Sequence, residues 1–295
     1  MRSEALALVG PRARARDYAA LAKPRLNFLV VASALAGYVM AGNEGLGVLP
    51  LAATVVGTGL VAGGASAFNQ VLERDVDALM RRTRMRPLPD QRLQSNEGTV
   101  FAAIMTIAGL LVLAAFANVL ASAVALATLL TYVAVYTPMK RLTSFATVVG
   151  AIPGALPPMI GWAAAQNALP REAWTLFGIV FLWQLPHFLA IAWMYREDYA
   201  RAGFPLLPVL EPDGRSTARQ AALYAAALLP LSLAPTLMGL AGEIYFVGAL
   251  ALGLVFVGLT LRFARTRSVR DARTVFFGSI IYLPLIWILM IADKV

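Results

Sequence analysis

Eight stretches of this chain, 26–43, 45–72, 99–139, 142–170, 173–195, 220–242, 244–261 and 274–292, contain no Asp, Glu, Lys or Arg. A helix that crosses the hydrocarbon core of a bilayer needs roughly 20 apolar residues. The stretch 99–139 is too long for one such helix, and Ala117-Asn118 near its middle predicts a turn. The pattern therefore predicts an all-α membrane protein with nine transmembrane helices. Composition agrees: 59% of the residues are hydrophobic, against about 45–50% in soluble domains.

The charges test the count. If the N-terminus lies in the cytoplasm, 23 of the 25 Lys and Arg fall on the inner side, and only Arg171 and Lys294 fall outside. The positive-inside rule then predicts a multi-pass protein of a bacterial inner membrane, with the C-terminus outside. Arg2, Arg12, Arg14, Arg16, Lys23 and Arg25 precede the first span. That basic region is too long for a signal peptide, so the segment is read as uncleaved. Residues 1–22 are expected to form a cytosolic basic arm and 23–295 a single nine-helix domain. The net charge of +9 suits orientation by the bilayer and anionic partners at its surface, whether lipid head groups or a phosphorylated substrate. The absence of cysteine excludes disulfides, thiolate metal sites, iron–sulfur clusters and CxxCH haem attachment.

Twelve of the 16 acidic residues also fall on the inner side, and the positive-inside rule does not explain them. Among them, Glu73 and Asp77 follow Asn69 at i, i+4, i+8. On a helix of 3.6 residues per turn all three line one face at the inner end of the second span. Like carboxylates at this spacing repel, so a cation is expected among them. Mg²⁺ fits: it takes oxygen ligands and uses few carboxylates together with substrate phosphate oxygens. Arg81, Arg82 and Arg86 follow at once and suit forked hydrogen bonds to a diphosphate. Asn69, Glu73 and Asp77 are thus the candidate metal and catalytic residues. Asp75 lies on another face and is expected to orient an arginine.

The run from Asn69 to Pro87, NxxxExxxD then MxRTxxRPL, resembles the first signature of the UbiA-type intramembrane prenyltransferases, with Glu73 where their middle Asp stands. The phrase RDVDxxMxRTxxRP is most similar to the haem-farnesylating branch. The resemblance implies a nine-helix bundle around a central cavity open to the cytosolic side.

Three further segments stand out. Tyr136-Thr137-Pro138-Met139-Lys140-Arg141 brings two cations to the inner face, as a topology anchor or as diphosphate ligands. The resemblance favours the second role for Lys140 and Arg141. The next span holds Pro153, Pro157 and Pro158, which break the helical ladder and are tolerated in a membrane where the backbone is re-satisfied or lines a cavity. The run VVGAIPGALPPxIGW again resembles the haem-farnesylating branch. His187, the only histidine, sits inside an apolar span after Trp183-Gln184-Leu185-Pro186. It is read either as a packing residue or as an axial ligand to haem iron. Related aromatic prenyltransferases carry a second acidic motif here; this chain departs from it, leaving Glu197 and Asp198. The pattern WQxPHFxAxAWxYRxDY resembles haem farnesyltransferases instead. Phe68, Tyr136, Trp183 and Tyr195 could stabilise a cation through their ring faces, Tyr136 foremost. Polar loops after the second and sixth spans suggest two four-helix halves with a ninth helix added.

The resemblance implies transfer of farnesyl from farnesyl diphosphate to the 2-vinyl group of haem b, with water addition, giving haem O and diphosphate. On this reading Asn69, Glu73, Asp77, Tyr136 and Asp198 are catalytic. Arg81, Arg82, Arg86, Lys140 and Arg141 bind diphosphate, while His187 and Trp183 bind haem, which is substrate and not cofactor. The bilayer is a further partner, as is a haem A synthase or the terminal-oxidase assembly that uses the product; no nucleic-acid partner is expected. Two other readings remain open: a prenyltransferase acting on an aromatic ring such as hydroxybenzoate, and a haem carrier or transporter without chemistry.

Overall fold

In a computed structural model, which describes residues 11–42 and 47–295, the chain is helical, with nine helices long and apolar enough to cross a membrane among the described residues. Arg2 of the basic arm and the segment 43–46 lie outside the described residues. A short helix α1 (Pro11–Ala22) precedes the spans. They are α2 (Pro24–Ala41), α3 (Val48–Asp77), α4 (Ser95–Phe116), α5 (Val119–Met139), α6 (Ala146–Ala155) continued by α7 (Pro157–Gln166), and α8 (Arg171–Met194). Two short helices, α9 (Arg196–Arg201) and α10 (Leu207–Leu210), lead to α11 (Arg215–Leu237), α12 (Glu243–Thr266) and α13 (Val269–Ala292).

The expected turn falls where the sequence put it. Asn118 Oδ1 accepts from the Ala121 amide at 2.8 Å and caps α5. Its Nδ2 donates to the Ala163 carbonyl at 2.7 Å, which fixes the α4–α5 turn to the end of α7. Outward faces carry exposed Val100, Ile104, Ile107 and Leu111 on α4, and Val247, Leu254 and Val255 on α12. In water such rows would be a liability; in lipid they are the expected solvent-facing surface.

Helices α3, α4, α5 and α6/α7 close on one another as one group, and α8, α11, α12 and α13 as a second. The added helix is the first span, α2, which packs along α7 and α3 and reaches α13. At Gly161 the two backbones meet so closely that a Cβ would collide with the Ala34 carbonyl. Small residues at such a crossing replace the hydrophobic drive that lipid cannot supply.

The three prolines split one span in two. The helix breaks at Leu156, and Pro157 opens α7 at the position where a missing N–H costs nothing. Gln184 Nε2 on α8 donates to the Ala151 carbonyl at 2.8 Å, a polar tie across the two groups beside the break. This span is the most deeply buried of the nine. The backbone beside the prolines is thus re-satisfied by a neighbouring helix.

The basic arm does more than orient. Helix α1 docks against the start of α4: Asp17 pairs with Arg92, Arg14 with Glu97, and the Tyr18 and Phe101 rings lie 5.1 Å apart. Gln70 Nε2 of α3 donates to the Leu21 carbonyl at 2.8 Å. Alternating apolar and charged positions in this segment gave the sequence no span-length signal, so its docking was invisible there.

Replacing Gly161 by Val overfills the α2–α7 crossing. Thermal unfolding in detergent is expected to show a loss of about 1–3 kcal/mol, and an unchanged midpoint would refute the close backbone contact.

Candidate functional site

Helix α3 has 30 residues and is thus about 45 Å long, some ten residues more than the hydrocarbon core requires. Its last turns carry the oxygen stripe beyond the lipid-facing portion. Asn69, Glu73 and Asp77 are 3%, 3% and 1% exposed, so the stripe is turned into the protein and not towards lipid. Asp75, one face away, is exposed and pairs with Arg74 at 3.1 Å.

Each stripe residue has a definite partner. Glu73 Oε1 lies 2.6 Å from Lys140 Nζ, and Asp77 Oδ2 lies 2.7 Å from Arg86 Nη1. Asn69 Nδ2 donates to Thr137 Oγ1 at 3.2 Å. That hydroxyl has spent its own hydrogen on the Tyr132 carbonyl at 2.9 Å, so it can only accept from Asn69. The amide nitrogen therefore turns to α5, and Asn69 Oδ1 takes no part in that contact.

Thr137 was not foreseen as a site residue, and the reason for its position is local. Pro138 has no N–H, and the turn before it widens into a π-helix over Thr131–Tyr136. The Thr137 amide then reaches back to the Tyr132 carbonyl. This change of register points Thr137 at Asn69 and sets the Tyr136 ring 5.2 Å from Lys140 Nζ, with Phe204 on another side at 5.4 Å. Gly150 lets the Tyr136 ring pass, since a Cβ there would strike it. The Thr-Pro step inside an apolar span was the available signal.

Burial opposes the charge on Lys140, but Tyr136 and Glu73 beside it prevail and hold its pKa above the ordinary lysine value. A further cation, Lys23, which the sequence did not mark as a site residue, comes to the same place. It is half-buried at the turn between α1 and α2, in left-handed backbone at φ 48°, a rare conformation for a residue before proline. Burial, reinforced by Arg86 and Lys140, pushes its ammonium down to about 7 against the pull of Asp77 and Glu73. In the sequence it was one orienting charge among six.

The loops after α3 and α8 close over this end. The Arg81 amide lies 3.4 Å from Asp198 Oδ1, and buried Asp198 also pairs with Arg201. Arg82 lies over the Tyr195 ring at 5.0 Å and donates to the Tyr199 hydroxyl at 3.3 Å. Met80, Ala202, Phe204 and Leu206 form a small buried cluster between the loops. Arg86, Lys140 and Asp198 are thus gathered at the stripe's end, with Arg81 and Arg82 above it. Arg141 is not: it is exposed, and its Nη2 donates to the Leu72 carbonyl at 3.0 Å. Glu197 is exposed too, which leaves Asp198 as the one buried acid on the α8 side of the mouth.

Deeper in α8, His187 Nδ1 lies 2.7 Å from Ser279 Oγ, and Trp183 Nε1 donates to the Ser279 carbonyl at 2.7 Å. The imidazole is stacked between Trp183 at 5.5 Å and Phe276 at 5.0 Å.

Among the described residues no group of three or more His, Cys, Asp or Glu forms a cation cage. The stripe offers three protein oxygens sources at most, which suits a hard cation that completes its shell with water and phosphate oxygens. The surrounding cations suit the phosphate.

The sequence matches the UbiA prenyltransferase family model over residues 30–281. It is 49% identical over 288 residues to a protein of Solibacter usitatus named protoheme IX farnesyltransferase, covering 95% of this chain and 99% of the relative. Its fold is similar to that of a digeranylgeranylglyceryl phosphate synthase, with TM-score 0.78 at 18% identity, covering 94% of this chain and 97% of the other. It is also similar to a UbiA homologue from Archaeoglobus fulgidus bound to DMAPP and Mg²⁺, with TM-score 0.70 at 16% identity, covering 94% and 99%.

With its pKa lowered to about 7, Lys23 is expected to be mostly neutral at pH 8, and an anion seated beside it would restore its charge by proton uptake. Titration calorimetry of pyrophosphate with magnesium, in buffers of differing ionisation enthalpy, is expected to show uptake larger than in Lys23→Met by roughly one proton. Equal uptake in the two proteins would exclude Lys23 from the site.

Proposed function

The chain belongs to the UbiA prenyltransferase family, and on that premise we propose that it transfers farnesyl from farnesyl diphosphate to the 2-vinyl group of haem b, giving haem O. The observation that carries this reading is the near-full-length likeness to farnesyltransferases of protohaem IX, with each element of a diphosphate site present at the inward stripe. The reading puts the donor's diphosphate at the end of α3 and its chain in the apolar interior.

Asn69 through Oδ1, Glu73 and Asp77 would hold Mg²⁺. A cation held by these residues would supply positive charge to offset the charge that grows on the diphosphate as the C–O bond breaks. Lys140 and Arg86 compensate Glu73 and Asp77 before substrate arrives and are placed to turn to the phosphates afterwards. Arg81 and Arg82 flank the opening between the loops, and Lys23 adds a cation from the α2 side. Asp198 ties the two loops through the Arg81 amide, and Arg201 on its own helix balances its charge.

The electron pair of the broken bond leaves with diphosphate. The allylic cation is then captured by the vinyl π electrons, and water adds to the resulting carbocation with loss of a proton. The Tyr136 ring, fixed between Gly150 and Lys140, is the aromatic face placed for the allylic cation. Closure of the two loops keeps bulk water from that cation until capture. Trp183 and His187 supply the haem-binding side.

A hydroxybenzoate-type reaction lacks the second buried acid it would use, and a carrier would not need the cation-compensated stripe. The clustering of Lys and Arg at the stripe's end supports a cytoplasmic position for that end in a bacterial inner membrane. Residues 23–295 act as one catalytic domain, with the arm docked on it. The product suits a haem A synthase or terminal-oxidase assembly.

In detergent or liposomes with farnesyl diphosphate, Mg²⁺ and haem b, the protein is expected to form haem O, detected by mass. Asp77→Asn is expected to lower turnover at least about 100- to 1,000-fold, with folding checked separately by the thermal midpoint. Turnover near wild type in that variant would remove the stripe from the mechanism.

A further inference from the structure

His187 was read from the sequence as either a packing residue or an iron ligand, and the hydrogen bonds around it decide which nitrogen is available. Ser279 Oγ sits 2.6 Å from the Phe276 carbonyl, one turn back on α13. A carbonyl cannot donate, so the single hydroxyl hydrogen of Ser279 is spent there. At its second contact, 2.7 Å from His187 Nδ1, the same oxygen must accept. Nδ1 is therefore the protonated nitrogen, and Nε2 keeps its lone pair. Among the described residues Nε2 has no hydrogen-bond partner.

The rest of the surroundings fix the ring's plane. Trp183 and Phe276 lie on its two faces at interplanar angles of 23° and 27°. Trp183 donates to the Ser279 carbonyl, so the residue that orients the imidazole also holds one of its walls. Ser279 is fully buried, whereas His187 is half-buried, as an anchored ligand with one open edge would be.

The depth fits the reaction. Asn69 lies eight residues before the end of α3, about 12 Å, and His187 seven before the end of α8, about 10 Å. The two ends are joined by the Arg81–Asp198 contact, so the imidazole and the bottom of the oxygen stripe lie at similar depth.

We propose that Ser279 is a positioning residue: it locks His187 in the Nδ1–H tautomer so that Nε2 ligates the haem iron and presents the porphyrin edge at the level of the stripe. This rests on the haem-acceptor reading of the site. It is the arrangement in which a ligating imidazole donates its other N–H to a neighbour that sets its tautomer and basicity.

The test is spectroscopic and needs no turnover. Ferric haem is titrated into the detergent-solubilised protein, and the Soret band and electron paramagnetic resonance are recorded. Wild type is expected to give an imidazole-ligated haem spectrum. His187→Gly should lose it and regain it with added imidazole. Ser279→Ala should weaken haem binding about 10- to 100-fold and alter the spin state, with the thermal midpoint checked in parallel, and Ser279→Thr should restore both. Wild-type affinity and spectrum in Ser279→Ala would overturn the positioning role while leaving haem as acceptor. A wild-type protein with no histidine-ligated spectrum would overturn the haem assignment of His187 itself.

Discussion

Two carboxylates one helical turn apart, nearly out of contact with water, set the terms for the rest of this structure. Glu73 and Asp77 would repel each other in a weakly screening interior, and removing either counter-charge from such a buried pair typically costs about 3–5 kcal/mol. Lys140 and Arg86 answer that need from two different directions, one from the end of α5 and one from the loop after α3. The π-turn before Pro138 puts Lys140 within reach, and Gly150 makes room for the ring packed beside it. The loop that carries Arg86 is itself held through Thr83, whose hydroxyl donates to the Asp77 carbonyl at 2.8 Å. The charges at the site and the fold around it are therefore one arrangement.

The bilayer imposes the second constraint. Backbone groups in hydrocarbon have no water to turn to, so irregular places there call for partners from neighbouring segments. Gln184 supports the backbone beside the proline break, Asn118 closes the α4–α5 turn, and Lys294 Nζ reaches the Val39 and Gly42 carbonyls at the end of α2. These irregular places surround the interior, where a long apolar chain and a flat ring would need room.

The number of spans, the Asn118 turn and the stripe Asn69–Glu73–Asp77 were legible because each depends on local periodicity and on charge counted along the chain. Arg86 and Lys140 were legible as cations near the site, though not as the separate partners of Asp77 and Glu73. Thr137, Lys23 and Ser279 were not legible at all. Each is an ordinary residue in the sequence and acquires its place only when a neighbouring helix is packed beside it. Arg141 shows the converse: adjacent to Lys140, it faces another way, because one residue along a helix turns the side chain by about 100°.

By itself the sequence determined that this chain lives in a membrane, how many times it crosses, and which helix end gathers oxygen ligands. Those follow from transfer free energies and from the helical repeat, which act residue by residue. Only the tertiary structure decided which cation compensates which carboxylate, that the Asn69 amide turns its nitrogen to Thr137, and that His187 Nδ1 meets Ser279 Oγ. These depend on where a single hydrogen goes among atoms brought together from distant helices, and no one-dimensional pattern encodes that meeting.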